Sequence, residues 1–588
     1  MTQCFKLSSL VLSLGVVAVV GALRAADDWP QYRGPSRQGI AADGVKLADA
    51  WPKDGPKQLW KSEWIPGAGD GGAGSPVVAD GKVYLYVNWM HPVGGGRKYH
   101  LITTEFLQDA GWLPDLPAEL AKKIEDAWAA PAHPPCSKAP AWWGVVGPKD
   151  EEFDAFLAKA PDVDKYIKDF MATLPAADAQ KYGKYIKRRL CISGPKTGWN
   201  PTGGYTWDEL EKMSKTRDEE TEFAWNYKKR AGSAQILNKG AFDDRAGWLI
   251  SNIWLRASTL TDTLVCLDAA TGKVLWKREY PATRERVLSC LSMDKGGFGQ
   301  IGASGTPTIA DGKCYFAGIM GLYCISAKDG TPIWNVEGEA THNSPLVAKG
   351  IVYHYGAAYN AADGKLLWKH PQWKPNLGAW EVAAKANAPI LWTVNSKDYI
   401  ITTNGNHDWC CLELETGKVL WTVRGAPDLY SPVFKEDLLI LRGATQVEAF
   451  KATPAAATSL WKQAVKMDSR GSYTIVNDAL FMLGCPDAGA MWTCLDLKTG
   501  DVKWSQAIPG ETLCNAAATV DGKLINVFGK GHYDSNFQVE MIDATPEKYV
   551  QRGLFNPKAC VYSCPAIAGG KLFLRLEDGV ACYDLQGK

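Results

Sequence analysis

The chain has 588 residues, with 65 Lys and Arg, 64 Asp and Glu, and a formal net charge of +1. This near-neutral balance gives no basic surface for nucleic acid, so we expect no nucleic-acid partner. Hydrophobic residues are 46% of the chain and charged residues 22%, which is typical of a soluble globular protein.

The N-terminus has the pattern of a signal peptide over residues 1–26. Lys6 precedes the apolar run LSSLVLSLGVVAVVGAL, and Arg24-Ala25-Ala26 leads into polar sequence. Cleavage is expected near Ala25 or Ala26. An uncleaved anchor is the alternative, but the run is short and interrupted by serine. No cysteine follows it that could carry a lipid. We therefore expect an extracytoplasmic protein, periplasmic or secreted, with no transmembrane span in the mature chain.

An extended segment, residues 27–56, comes next and contains DWPQYRGPSRQGI. The following stretch, KQLWKSEW at 57–64, looks like a lone outer strand with Trp60 and no hairpin before it. A first hairpin, SPVVADGKVYLY from Ser75, then begins a repeat unit that extends to residue 90. Asp-Gly between alternating apolar runs is the strongest short hairpin signal, because the primed turns need positive φ.

Residues 91–258 interrupt that first unit with sequence of helical periodicity. The helical stretches are LPAELAKKIEDAWAA from Leu116, DEEFDAFLAKAPDVDKYIKDFMATL from Asp150, DAQKYGKYIKRRL from Asp178, and TWDELEKMSKTRDEETEFAWNYKKR from Thr206. Apolar residues recur at spacings of three and four, and Asp or Thr stands at the starts. The sequence predicts an α-helical insertion on the face of the molecule that carries the loops between second and third strands.

Residues 259–588 repeat one pattern, which is a hairpin, a loop and a second hairpin ending on tryptophan. The second hairpins are LVCLDAATGKVLW, LYCISAKDGTPIW, AAYNAADGKLLW, CCLELETGKVLW and TCLDLKTGDVKW, ending at Trp276, Trp334, Trp368, Trp421 and Trp504. Two copies are degenerate: VEAFKATPAAATSLW keeps Trp461 but lacks the turn glycine, and VEMIDATPEKYVQ lacks both glycine and tryptophan. We count eight units of four antiparallel strands. A repeat of this kind predicts an all-β fold, an eight-bladed β-propeller, in which the tryptophan covers the seam to the next blade.

The last unit, CPAIAGGKLFLRLEDGVACYDLQGK, ends after its third strand. The lone strand at 57–64 fits that gap. We therefore predict that it pairs with the C-terminal three strands and removes the last open edges.

The A-x-[DT]-G-K-x-x-W pattern resembles the tryptophan-docking repeat of the pyrroloquinoline-quinone (PQQ) propellers. This superfamily includes the quinoprotein alcohol dehydrogenases and BamB-like assembly proteins. The resemblance covers about 57–90 and 263–588, and DWPQYRGPSRQGI resembles the start of many secreted PQQ-repeat proteins. It implies the fold but leaves function open, because the superfamily holds both enzymes and scaffolds.

Cysteines of one repeat position are interpreted as packing residues. Cys266, Cys324, Cys411, Cys494 and Cys582 occupy a position in the third strand where the family usually has Ala. The adjacent Cys410 and Cys411 resemble the cysteine pair of some quinoprotein dehydrogenases. Neighbours on a strand point to opposite faces, however, so we interpret this pair as coincidental. Within the insertion, Cys136 and Cys191 are a candidate disulfide.

Polar residues of the loops on the insertion's face are the candidate binding site. They are His342, Asn343, Asn404, Asn406, His407, Asp408, Arg470, Asp487, His532, Tyr533, Asp534 and Asn536. Clustered His, Asp and Asn around a funnel can bind a protein partner or a small ligand, although each residue can equally tie its own loop. No metal-binding spacing is present, so no metal ligand is assigned.

Two functional classes follow, together with a minor alternative. The preferred hypothesis is a secreted, non-catalytic binding or assembly scaffold that uses this funnel, with no catalytic residue assigned. The alternative is a PQQ- and calcium-dependent alcohol or sugar dehydrogenase, which would need converging oxygen ligands for calcium. No residue here matches that enzyme motif. Trp142, Trp143, Trp199 and Trp207 of the insertion leave an activity on carbohydrate open. The sequence does not determine the oligomeric state.

Overall fold

The structure is a computed structural model, and most of the chain outside the N-terminus and the insertion can be described. The described residues are 28–41, 44–67, 71–72, 74–92, 115–134, 150–191, 258–282, 305–338, 344–370, 388–404, 408–425, 431–442, 446–465, 472–484, 489–509, 513–514, 517–529, 537–560 and 563–587. They are mostly β-sheet, arranged as many four-stranded antiparallel sheets.

Within these described ranges, six sheets have four strands each, paired in chain order. The first is β2 (Val77–Ala79), β3 (Lys82–Pro92), β4 (Ser258–Asp268) and β5 (Val274–Pro281). The second is β6 (Thr308–Ala310), β7 (Lys313–Ala317), β8 (Gly321–Ser326) and β9 (Pro332–Glu337). The third is β10 (Leu346–Ala348), β11 (Ile351–His354), β12 (Ala357–Asn360) and β13 (Leu366–Lys369). The fourth is β14 (Ile390–Val394), β15 (Lys397–Thr403), β16 (Trp409–Glu413) and β17 (Val419–Val423). The fifth is β18 (Val433–Lys435), β19 (Leu438–Arg442), β20 (Gln446–Ala452) and β21 (Ala457–Ala464). The sixth is β22 (Ser472–Val476), β23 (Ala479–Gly484), β24 (Gly489–Asp496) and β25 (Val502–Pro509).

A further sheet has nine strands and contains two more sets of the same kind. Its members are β26 (Leu513–Cys514), β27 (Ala518–Val520), β28 (Lys523–Gly529), β29 (Phe537–Asp543), β30 (Gln551–Ala559), β31 (Ala566–Ala568), β32 (Lys571–Leu576), β33 (Gly579–Asp584) and β1 (Gln58–Lys61). One set is β27–β30. The other is β31–β33 together with β1, because β1 pairs antiparallel with β33 and places Trp60 opposite Cys582. The predicted pairing of the lone N-terminal strand with the C-terminal three is confirmed.

The first hairpin turns with the predicted geometry in every set except the fifth and the sixth, where Glu436 and Asn477 have positive φ but the residue after each does not. Asp80 and Gly81, between β2 and β3, have φ of 51° and 70°, and Asp311 and Gly312 have φ of 50° and 70°. Positive φ at both turn positions is the primed geometry that matches strand twist, and Asp-Gly tolerates it. This local chemistry fixes the register of the inner hairpins.

Each repeat tryptophan joins its own set to the next one. Its indole N–H donates to a main-chain carbonyl of the following set. The bonds run from Trp60 to Ala269, Trp276 to Lys328, Trp334 to Ala361, Trp368 to Leu414, Trp421 to Thr453, Trp461 to Leu497 and Trp504 to Thr545. Where the next set has its turn glycine, the ring also lies on that glycine: a Cβ on Gly272 would stand 2.3 Å from Trp60. The predicted seam contact is confirmed.

The set β27–β30 has no repeat tryptophan, and the N-terminal segment supplies one. Gly553 of β30 faces Trp51, whose ring carbon would be 2.6 Å from an added Cβ. The Trp51 amide donates to the Arg552 carbonyl at 2.8 Å. Trp51 also meets Phe555 edge-on, with ring centroids 5.4 Å apart. The degenerate repeat is therefore completed by a residue from about five hundred positions earlier in the chain.

The five repeat cysteines are packing residues, as predicted. Cys266, Cys324, Cys411, Cys494 and Cys582 are all fully buried, and each is paired across the ladder with a repeat tryptophan. Ala358 and Ala449 hold the same position opposite Trp368 and Trp461. Cys410 and Cys411 lie in different apolar clusters on opposite faces of β16, as expected of neighbours on a strand.

Apolar packing runs from each set of strands to the next and returns from the last to the first. Cys266 of the first set packs with Phe316 of the second, and Tyr315 of the second packs with Val352 of the third. The largest cluster joins Val527, Phe573 and Leu85, which belong to the seventh, eighth and first sets. The first strands of the sets, hereafter the inner strands, are therefore brought around one axis.

Between β3 and β4, residues 115–134 and 150–191 are described and form four helices: α1 (Ala118–Ala129), α2 (Asp150–Leu157), α3 (Pro161–Ala172) and α4 (Ala176–Cys191). The stretch from Asp150 is divided in two because Pro161 opens α3 and has no N–H to continue α2. Leu120, Ile124, Ile167 and Ile186 form a shared core. The helical stretch predicted from Thr206 lies outside the described residues. Among the residues described, no helix has the length and apolar character needed to cross a membrane.

Candidate functional site

Residues 28–41, hereafter the N-terminal plug, fill the space between the inner strands. The plug enters beside the turn at Asp80, whose amide donates to the Asp28 carboxylate at 3.2 Å. Trp29 and Val78 of β2 exchange both main-chain hydrogen bonds, at 2.8 and 2.9 Å. On the way out, Thr519 of β27 donates to the Gly39 carbonyl and accepts from the Ala41 amide. The plug thus adds short strands to two inner edges that would otherwise be open.

Arg37 binds the next group of inner strands from the tip of the plug. Its guanidinium donates to the carbonyls of Ser344, Pro345 and Pro389 and to the Thr308 hydroxyl. Its Nε donates to Gln31 at 2.8 Å. Arg37 is only 1% exposed, and burial lowers its pKa to about 9. It is therefore still a cation at neutral pH, and neutral oxygens accept its five N–H bonds.

Arg33 and Gln38 bind the opposite side of the ring of inner strands. Arg33 donates to the Tyr473 carbonyl of β22 at 2.7 Å. The Gln38 side-chain oxygen accepts from the Phe434 amide of β18 at 2.8 Å, and its carbonyl accepts from the Thr474 hydroxyl. The plug therefore makes hydrogen bonds to β2, β6, β18, β22 and β27 and to residues directly ahead of β10 and β14.

The tip of the plug lies at the end where the inner strands begin, which we call the top face. Ser344, Pro345 and Pro389 directly precede inner strands, and Arg37 binds their carbonyls. Pro35 and Ser36, next to Arg37, are exposed. Trp29 lies beneath them with 2% exposure, and an added Cβ on Gly34 would stand 2.9 Å from its ring. The plug thus presents Pro35 and Ser36, rather than an aromatic ring, at the centre of the top face.

Hydroxyl groups at the same level join four neighbouring sets. Ser75, Thr306 and Ser344 each precede the proline that leads into an inner strand. The Cys564 amide donates to the Ser75 hydroxyl at 2.8 Å, the Ser75 amide to Thr306 at 3.2 Å, and the Thr306 amide to Ser344 at 3.0 Å. These three Ser/Thr-Pro pairs therefore join the eighth, first, second and third sets at the top face.

The insertion also begins on the top face, at a buried carboxylate. Strands β3 and β4 pair along their full length, as far as Pro92 opposite Ser258, so they form a long ribbon that ends where the insertion begins. Near its base, Asp262 accepts from the hydroxyls of Tyr86 and Tyr323 and from the amides of Ile319 and Met320. Burial raises the pKa of this carboxyl. The bonds from Tyr323, Ile319 and Met320 fix the ribbon to the second sheet, and the bond from Tyr86 of β3 joins the two strands of the ribbon.

Two of the predicted binding residues, Asn404 and Asp408, are described, and they hydrogen-bond to each other across one loop. The Asp408 amide donates to the Asn404 side-chain oxygen, and the Asn404 amide to the Asp408 carbonyl, both at 2.9 Å. This loop joins β15 to β16 on the top face. The other predicted residues lie outside the described part of the chain: His342, Asn343, Asn406, His407, Arg470, Asp487, His532, Tyr533, Asp534 and Asn536.

The comparison with protein families concerns the repeats rather than the plug. A family model described as "Outer membrane protein assembly factor BamB" matches residues 261–388 and 357–587. These ranges together cover more than half of the 588 residues. The chain belongs to this BamB family.

Individual relatives match over shorter stretches or at low identity. The outer membrane protein assembly factor BamB of Shewanella oneidensis is 28% identical over 153 residues, which are 24% of this chain and 37% of that protein. The chain thus spans little more than a third of the curated relative's length. BamB from Moraxella catarrhalis aligns with a TM-score of 0.40 at 14% identity, over 56% of this chain and 92% of the other. A quinohaemoprotein alcohol dehydrogenase from Pseudomonas putida aligns with a TM-score of 0.40 at 13% identity, over 56% and 73%.

Within this BamB-family chain, sequence reasoning missed the plug residues. Arg33, Arg37 and Gln38 were not singled out, although the glycines of RGPSRQG signal close approach of main chains. The candidate disulfide stays a prediction, because Cys191 is buried at the end of α4 and Cys136 lies outside the described residues. Within the described ranges, no group of three His, Cys, Asp or Glu side chains is placed to hold a metal ion.

Proposed function

We propose that the chain is an extracytoplasmic, eight-bladed PQQ-like propeller with a helical insertion in its first blade. Eight four-stranded sets, the return of packing from the last set to the first, and the pairing of β1 with β33 support this architecture. Membership of the BamB family and the N-terminal signal pattern support an extracytoplasmic location.

We further propose a non-catalytic role, in which the top face binds a partner or a small ligand. The observation that carries this proposal is the plug. A PQQ dehydrogenase needs an aromatic floor on which the quinone can lie, whereas here Pro35 and Ser36 stand at that place and Trp29 is buried beneath Gly34. The loop between β15 and β16 is held by hydrogen bonds between Asn404 and Asp408, as expected of a rigid loop at the edge of a binding face.

The curated relative is named as an outer membrane protein assembly factor. By analogy we propose a protein partner as the first occupant of the top face. The helical insertion leaves the propeller on this same face through β3 and β4, so it would contribute to the contact. An assembly role of this kind needs a rigid platform with accessible loops, rather than a buried pocket for chemistry.

The discriminating experiment adds PQQ and calcium chloride to the purified full chain. We expect no rise in melting temperature and no dye reduction with ethanol or glucose as substrate. A bound cofactor would raise the apparent stability by mass action. PQQ-dependent dye reduction that is lost in Asp408→Ala or Asp534→Ala would overturn the proposal in favour of the dehydrogenase.

A second experiment tests which face is used. A photo-cross-linking residue replaces Ser36 at the centre of the top face, or Lys349 in the turn at the opposite end of β10. Cross-links in cells that express the full chain are expected from position 36, with fewer from position 349. If His407→Ala and His532→Ala leave the position-36 products unchanged, the predicted loop residues do not take part. Equal labelling from both faces contradicts the use of the top face.

A further inference from the structure

We propose that the space between the inner strands is a peptide-binding site, that residues 28–41 are its ligand within the same chain, and that the site binds this peptide in trans. The plug makes its hydrogen bonds to the inner strands with main-chain groups and with three long side chains. Complexes between proteins and extended peptides are held together by the same two kinds of contact. This inference concerns the axis of the molecule and does not depend on what the top face binds.

Main-chain pairing provides the first part of the recognition. Trp29 pairs antiparallel with Val78 of β2, and Ile40 pairs parallel with Thr519 of β27. The Pro30 carbonyl also accepts from the Ile309 amide of β6 at 2.8 Å. Adding an extended peptide to an exposed sheet edge is a recurrent mode of peptide recognition, in which the main chain supplies affinity and side chains supply specificity.

The two arginines provide the second part. Arg37 places its five N–H bonds on acceptors from Gln31, Thr308, Ser344, Pro345 and Pro389. Lysine offers three donors on one nitrogen and cannot reproduce this planar arrangement. Arg33 makes the corresponding contact with Tyr473 on the other side of the axis. The inner strands therefore recognise the peptide through arginines at two positions of its sequence.

Two glycines provide a steric requirement. An added Cβ on Gly39 would stand 2.6 Å from the Ala517 carbonyl, and one on Gly34 would stand 2.9 Å from the Trp29 ring. Both glycines have φ of +79°, which disfavours side chains independently of the space. Ser36, in contrast, is exposed at the tip, so its side chain should not contribute to binding.

The plug also has internal order that lowers the cost of binding. The Gly34 amide donates to the Gln31 carbonyl at 3.0 Å, the Arg37 amide to Gly34 at 3.1 Å, and the Gly39 amide to Arg33 at 2.8 Å. The Gln31 side chain donates to the Pro35 carbonyl at 2.7 Å. These bonds are within the segment, so an isolated peptide can form them, and preorganisation of this kind strengthens binding.

The test introduces a protease site between Ala41 and Gly44 of the full chain. After cleavage the plug is held without a covalent link, and brief exposure to mild denaturant followed by dilution allows exchange. A fluorescent peptide of residues 27–43 is added, and its binding is followed by anisotropy. Matched peptides carry Arg37→Lys, Gly39→Ala or Ser36→Ala.

We expect saturable binding of the unaltered peptide and of Ser36→Ala with equal affinity. The Arg37→Lys and Gly39→Ala peptides should bind at least tenfold more weakly. Uncleaved protein should bind none of them, because its own plug fills the site. Absence of binding to cleaved, refolded protein would overturn the proposal, and so would equal binding of all four peptides. Circular dichroism and the mass of the released plug establish that the cleaved protein is folded and exchanging.

Discussion

His354 shows how burial alone sets the charge of a residue in this fold. It ends β11 and is 8% exposed, and burial lowers its pKa to about 4 from the usual 6.5. The imidazole is therefore neutral in the folded protein at neutral pH. In the unfolded chain the same ring takes up a proton at higher pH, because water solvates the cation.

This difference predicts a fall in stability on acidification. Between pH 6.5 and pH 4 the unfolded chain binds a proton at His354 that the folded chain does not bind. The free energy of unfolding should therefore fall with pH across this window, by up to about 3 kcal/mol from this residue. Urea unfolding of the wild type and of His354→Gln at several pH values measures the effect. Carboxylates titrate in both proteins, so only the difference between the two slopes of unfolding free energy against pH reports on His354. Equal slopes for the two proteins would contradict the assignment.

At the level of the elements, five seams depend on a repeat tryptophan and a turn glycine from neighbouring sets. Gly417, in the turn before β17, has φ of +71°, and an added Cβ would stand 2.4 Å from the Trp368 ring. The glycine thus serves both the turn conformation and the seam. Gly312 has nearly the same φ, +70°, and no atom within 4 Å of its added Cβ, so it serves the turn alone.

These two glycines separate packing from backbone strain. Gly417→Ala and Gly312→Ala both place an alanine at positive φ, which costs about 1 kcal/mol. Gly417→Ala must also displace Trp368, so we expect it to lower the free energy of unfolding by about 2 kcal/mol more than Gly312→Ala. Denaturant unfolding of the two variants checks this. Equal losses would show that the indole moves aside without cost.

At the level of the whole molecule, a short strand from the N-terminal part of the chain joins the last set to the first. Strand β1 pairs with β33, and Trp60 donates to the Ala269 carbonyl of the first sheet at 3.0 Å. Arg575 supports the connection from β1 to β2, since it donates to the carbonyls of Pro66, Gly71 and Gly74. Closure thus depends on contacts between residues distant in sequence.

Trp60→Ala should loosen this closure specifically. We expect a loss of about 4 kcal/mol from the buried indole, and faster hydrogen exchange in peptides that cover residues 57–64 and 579–585. Trp276→Ala removes the same contact at another seam and should leave exchange in these two peptides unchanged. Leu59 is 41% exposed, so Leu59→Ala should change stability by less than about 0.5 kcal/mol. If hydrogen exchange in β1 is equally fast in both tryptophan variants, Trp60 does not control closure.

Local patterns determined a large part of this structure. Asp-Gly turns, alternating apolar strands and the recurring tryptophan predicted the four-stranded sets and the seam contact, because turn chemistry and side-chain alternation act over a few residues. The unpaired outer strand at 57–64 also predicted its partner, since a strand edge left open by one end of the chain matches the strand left over at the other.

The tertiary structure alone decided what lies on the axis. Arg33, Arg37 and Gln38 stand in a polar segment with no periodicity. Their partners in and beside the inner strands are main-chain carbonyls, an amide and two hydroxyls, up to 440 positions away. Main-chain groups are present at every residue, so no sequence pattern marks them as partners. Trp51 fills the place of the tryptophan missing from the seventh set. The sequence could not predict this contact, because the space that Trp51 fills forms only when the sheets pack together.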